Sequence, residues 1–232
     1  MEQTLSPEMQ IEWRNEPSQS ASAFASVLVA SLDDPRLKPS CVLPPTREDD
    51  ADRAFPGASG RSRFQERRSL LRAFVGNQTG CAGESVIVSY DPEGAPRVVA
   101  PSKGLWISTA GRGDLVALVC AVKPVGIDLE ILDETIEPVD TVLHPVERTA
   151  LLLLDPAARV RAFLRIWTMK EAWLKARRTG FRRDPCEVAI LEQPKDRARI
   201  EDAGATVNCT AEWKQYEIAG RTILAACVVA LD

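Results

Sequence analysis

Apolar and polar positions along the chain alternate in short runs, broken by a few stretches of helical spacing. Val125-Gly126-Ile127-Asp128-Leu129-Glu130 reads as a strand in which Val125, Ile127 and Leu129 point one way and Gly126, Asp128 and Glu130 the other. Downstream, Phe163, Ile166, Trp167 and Leu174 recur at three- and four-residue spacing and predict a helix, on which Glu171 and Lys175 share a face. Arg61 to Gly76 predicts another helix, with Phe64, Leu70, Leu71, Phe74 and Val75 as its apolar side. Further strands are expected over 84–90, 105–111, 114–122, 187–191, 211–218 and 222–231, and a strand or short helix over 23–32. Thr46 is placed to cap a helix over 47–54, closed by Pro56-Gly57-Ala58-Ser59-Gly60, and Gly180 is suited to a left-handed cap after the helix that carries Glu171.

Same-face positions on a strand lie roughly 7 Å apart, so the Asp128 and Glu130 carboxylates can reach one hard cation. Mg²⁺ suits them, because it takes oxygen ligands, commonly one or two carboxylates with water and substrate phosphates. Each motif also has a plainer reading. Glu171 and Lys175 have the spacing of a surface ion pair, and an Asp-x-Glu strand is commonly the solvated face of a half-buried sheet.

Together the two segments resemble the phosphopantetheinyl transferase family, whose signature is Gly-(Ile/Val)-Asp-(Ile/Leu)-Glu followed by Trp/Phe-x-x-Lys-Glu-(Ala/Ser)-x-x-Lys. Both halves are matched in full, by Gly126-Ile127-Asp128-Leu129-Glu130 and by Trp167-Thr168-Met169-Lys170-Glu171-Ala172-Trp173-Leu174-Lys175. Short members of the family assemble as trimers. With 232 residues and the signature confined to the second half, this chain resembles the two-lobed, monomeric, surfactin-synthetase-activating type.

The resemblance implies an α+β fold of two pseudo-symmetric lobes, each a small, largely antiparallel sheet packed with helices, divided here as 1–124 and 125–232. It implies transfer of the 4′-phosphopantetheine arm of coenzyme A to a serine of an acyl or peptidyl carrier protein, a holo-carrier-protein synthase releasing adenosine 3′,5′-bisphosphate. Asp128, Glu130 and Glu171 would hold Mg²⁺, with Mn²⁺ as the alternative. Glu171, Lys175 and Glu147 would serve the chemistry, and Arg63, Arg68, Ser108, Thr109 and Lys175 would contact coenzyme A. Glu147 also reads as an acid favoured by the dipole at a helix start, and His144 as structural.

Two departures stand out. The family's usual Gly-Lys-Pro is Gly94-Ala95-Pro96 here, and its Ser-His-Ser is Ser108-Thr109-Ala110. Thr109 can donate a hydrogen bond but brings no charge to a phosphate, which predicts a weaker grip on coenzyme A unless Arg97, Lys103 or Arg112 supplies it. These losses motivate the alternative of a catalytically weak or inactive member that binds carrier protein or coenzyme A. The carboxylates alone would also permit an unrelated Mg²⁺-dependent phosphoryl-transfer enzyme.

Composition narrows the picture without naming a reaction. The 45 % hydrophobic and 27 % charged content is that of a globular protein. A net charge of −4, with basic residues dispersed apart from Arg61 to Arg72 and Arg177 to Arg183, argues against a nucleic-acid partner and leaves room for a local anion site. Six scattered cysteines and one histidine fit reduced thiols and no zinc site. No apolar run is long enough to span a membrane, and the N-terminus does not read as a signal peptide, so a cytoplasmic location is expected.

Overall fold

The computed structural model describes residues 11–13, 25–44, 46, 57–101 and 104–230. The expected helix over 47–54 and Lys103 lie outside them. The chain splits into two compact units, residues 1–122 and 123–232. Each contains an antiparallel sheet packed with helix, giving an α+β architecture with two sheet lobes.

In the first unit the sheet order is β1-β2-β6-β5-β4-β3. These strands are β1 (Ile11–Trp13), β2 (Ala25–Ser31), β3 (Ile87–Tyr90), β4 (Pro96–Ala100), β5 (Trp106–Arg112) and β6 (Leu115–Ala121). The helix α1 (Gly57–Thr79) places Leu70, Leu71, Phe74 and Val75 in a core with Leu28, Ile107, Val116 and Leu118. It begins at Gly57, so residues 57–60, expected as a closing loop, are its first turn. The expected strand over 84–90 is shorter, because a turn of 3₁₀ helix occupies Gly83–Ser85.

The arginine-rich helix does not present all its cations to water. Arg72 is buried, with Nε donating to the Val86 carbonyl at 3.1 Å and Nη1 to the Pro44 carbonyl at 2.6 Å. Arg68, 3 % exposed, donates Nη2 to the Val88 carbonyl at 2.8 Å and stacks over the Tyr90 ring at 4.5 Å. Burying a guanidinium is tolerable where carbonyls accept its protons and a ring face accepts its charge. Both side chains therefore tie α1 to β3 and its approach.

The second unit comprises β7 (Val125–Ile131), α2 (Pro145–Leu152), α3 (Pro156–Arg177), β8 (Val188–Gln193), β9 (Arg197–Asp202), β10 (Ala205–Thr206), β11 (Cys209–Ile218) and β12 (Arg221–Ala230). The sheet runs β10-β9-β11-β12-β7, with β8 also paired to β9. The β11–β12 hairpin turns on Ala219 and Gly220, whose φ angles of 51° and 71° give the twist that a two-residue loop requires.

Asp155 caps α3 by accepting from Ala158 N at 3.0 Å, and Pro156 follows where a missing N–H costs nothing. At the other end the left-handed cap is Arg178, φ 55°, rather than Gly180. The N–H of Arg178 and that of Thr179 close onto the carbonyls of Lys175 and Leu174, which offsets the strain of a non-glycine residue there. Ala162, Phe163, Ile166, Met169 and Trp173 of α3 pack with Val188, Ile190, Leu224, Ala226 and Val228 of the sheet. No helix among the described residues is long and apolar enough to cross a membrane.

Candidate functional site

The site begins with a glycine. On β7, Gly126, Asp128 and Glu130 face the same side and pair in register with Val228, Ala226 and Leu224 of β12, which are members of the helix-packed core. The carboxylate face of the strand is thus the side toward α3, not a solvated back. A Cβ at Gly126 would collide with the carbonyl of Ala172 and come within 2.5 Å of Ala176 N. The strand and helix backbones meet at Gly126, Ala172 and Ala176 because none of the three carries a larger side chain.

Glu171 and Lys175 each precede one of these alanines, so the helix column beside the contact brings them to Asp128. Lys175 Nζ donates to Asp128 Oδ1 at 2.6 Å, and Asp128 is only 7 % exposed. Burial pushes the Glu171 carboxyl up to about 6; the charge of Asp128 and, less strongly, that of Glu130 add to the rise, and Lys175 opposes it. Glu171 Oε1 is buried and accepts no hydrogen bond. Three carboxylates and one ammonium therefore share one electrostatic neighbourhood, with more negative than positive charge and one carboxylate oxygen lacking a donor.

A hard divalent cation suits that donor set, which offers oxygen ligands and surplus negative charge. Among the described residues no three His, Cys, Asp or Glu side chains form a ready metal cage. In this arrangement the Lys175 ammonium is the cation on Asp128.

Glu147 stands elsewhere. It is 2 % exposed, with Oε1 accepting from Ile190 N at 2.7 Å and Oε2 from His144 N at 2.8 Å. Oε2 also meets the Nζ of Lys170 at 2.7 Å, and that Nζ donates to the carbonyls of Val142 at 2.8 Å and Pro185 at 2.9 Å. Lys170 is fully buried, and burial lowers its pKa against the pull of Glu147. Both carboxylate oxygens of Glu147 are spent on the fold. His144 caps α2, its Nδ1 accepting from Val146 N at 3.3 Å. The signals for this brace were a lysine inside the buried stripe of α3 and the His-Pro-x-Glu start of α2.

The expected coenzyme A residues lie in the first unit. Arg63 pairs with Asp33 and Glu66, each at 2.9 Å. Ser108 is buried and Thr109 half-buried on β5. Arg68, committed to Val88 and Tyr90, keeps almost no exposed surface.

Residues 124–227 match the sequence model of the 4′-phosphopantetheinyl transferase superfamily. HetI of Nostoc sp., named a 4′-phosphopantetheinyl transferase, is 30 % identical over 153 residues, which is 62 % of this chain and 63 % of HetI. The Synechocystis sp. protein slr0495, named as a candidate 4′-phosphopantetheinyl transferase, is 27 % identical over 125 residues, 52 % of this chain and 51 % of that protein. The chain thus spans between about half and just under two thirds of the length of these curated relatives. The matched region contains both β7 and α3, the two elements that frame the carboxylates, so the similarity to the 4′-phosphopantetheinyl transferase superfamily extends over the whole candidate site.

Proposed function

We propose that the protein is a two-lobed, monomeric 4′-phosphopantetheinyl transferase that modifies a serine of an acyl or peptidyl carrier protein with the phosphopantetheine arm of coenzyme A. The observation that carries this reading is the convergence of Glu171 with Asp128, Glu130 and Lys175 on the helix-facing side of β7. Asp128, Glu130 and Glu171 would hold Mg²⁺. Bound there, it would neutralise charge on the coenzyme A diphosphate during displacement at the β-phosphorus.

The serine oxygen forms the new P–O bond, the bond to adenosine 3′,5′-bisphosphate breaks, and the serine proton needs an acceptor. Glu171 is the proposed acceptor, through Oε1, the carboxylate oxygen that no donor engages. Glu147, with both oxygens bonded, is not used. Lys175, 30 % exposed, would hold a phosphate oxygen of the substrate as a point charge. Arg63, Ser108 and Thr109 are proposed coenzyme A contacts in the first unit.

The test is intact-mass spectrometry of an apo carrier protein incubated with this protein, coenzyme A and Mg²⁺. A covalent gain of about 340 Da on the carrier, lost with EDTA, is expected. A folded protein that modifies none of the fatty-acid, polyketide or peptide carriers would overturn the transferase reading and favour a binding module, in keeping with Ala95 and Thr109.

A further inference from the structure

We infer that Lys175 and a divalent cation exclude one another at Asp128, so that cation loading itself turns the Lys175 ammonium away from the strand and toward the substrate. This rests on the cation site proposed above. Lys175 Nζ sits 2.6 Å from Asp128 Oδ1, on the carboxylate that a cation shared with Glu130 and Glu171 would occupy. An ammonium and a divalent ion on one carboxylate repel strongly where water is scarce, and Asp128 is 7 % exposed.

The backbone cannot relieve that repulsion. Gly126 holds β7 against Ala172 and Ala176, and one residue before Glu171 the buried Lys170 ties α3 to Glu147 and to the carbonyls of Val142 and Pro185. The freedom lies in the side chain of Lys175, a flexible four-carbon stem that is 30 % exposed. The pair is therefore an exchangeable counter-ion: it balances Asp128 before the cation arrives and supplies a free ammonium afterwards.

Competition of this kind predicts that removing the ammonium tightens cation binding. Mn²⁺ binding to the full chain, followed by loss of the free-ion electron paramagnetic resonance signal, reads it without turnover. Lys175→Met should bind Mn²⁺ roughly three- to tenfold more tightly than the wild type, since no ion pair has to break first. Arg177→Met removes the same charge two residues on, from a guanidinium that stacks on Trp173, and should leave the affinity within about twofold. Should Lys175→Met fail to fold, Lys175→Gln carries the same expectation.

Unchanged or weaker binding by a folded Lys175 variant overturns the exchange, as does equal tightening by Arg177→Met. Asp128→Asn separates this from the underlying reading. Its loss of Mn²⁺ binding keeps the cation site even if the exchange falls, whereas retention of binding, or no binding by any variant, removes both.

Discussion

Gly126 of β7 lies so close beneath the carbonyl of Ala172 that no side chain fits between them. The obstacle is backbone, which cannot rotate away as a long side chain would. Gly126→Ala should therefore part α3 from β7, costing about 3 kcal/mol or more. It should also separate Lys175 from Asp128. Urea denaturation gives the first quantity and the carrier mass-gain assay the second. A variant of wild-type stability would mean that the close approach is not maintained in solution.

The buried Glu147–Lys170 pair predicts a strong non-additivity. Lys170→Met leaves a carboxylate 2 % exposed with no counter-charge, which should cost about 3–5 kcal/mol. Combining it with Glu147→Gln should recover a large part, because no buried charge is then left alone. A double-mutant cycle by chemical denaturation checks this, and simple additivity would sink it.

Glu171 predicts a dependence on pH in EDTA. Its folded pKa of about 6 lies above the ordinary 4.5, so between those values the folded state holds more protons than the unfolded one. Stability therefore falls as pH rises through that window, and the full cost is present above about 6. Glu171→Gln removes the cost. Its melting temperature relative to the wild type should rise between pH 4.5 and pH 7, and a flat difference would argue against the shift.

Arg68 predicts loss of stability rather than loss of substrate. Arg68→Met removes the donor to the Val88 carbonyl and the charge over Tyr90, and should lower stability by about 1–3 kcal/mol. The KM for coenzyme A should stay unchanged. A raised KM with an unaltered melting temperature would return Arg68 to nucleotide binding.

Asp128→Asn tests the carboxylate face. With its charge gone and its shape kept, transfer to a carrier should fall by about 10²-fold or more in a folded protein. Wild-type turnover would remove the cation site from the mechanism.

Much of this is legible in the residues alone. Strict alternation over 125–130 set Asp128 and Glu130 on one face, and four-residue spacing set Glu171 and Lys175 on one side of a helix. Those relations depend only on the geometry of a strand and a helix, so neighbours along the chain suffice to determine them. The strands β4 and β9, by contrast, give only brief signals: β4 opens on a proline and runs for five residues, and the alternation of β9 covers only Arg197 to Ile200.

Tertiary structure alone decided what each face meets. The carboxylate side of β7 could have looked to water; the arrival of α3 over Gly126 turned it into a half-enclosed site and put Lys175 on Asp128. Arg68 and Glu147 have the residue types of a functional site, yet inside the fold Arg68 meets the Val88 carbonyl and the Tyr90 ring, and Glu147 meets Lys170 and two backbone N–H groups. A charge is a binding group or a brace according to which partners reach it, and those partners are set by long-range packing that no local pattern records.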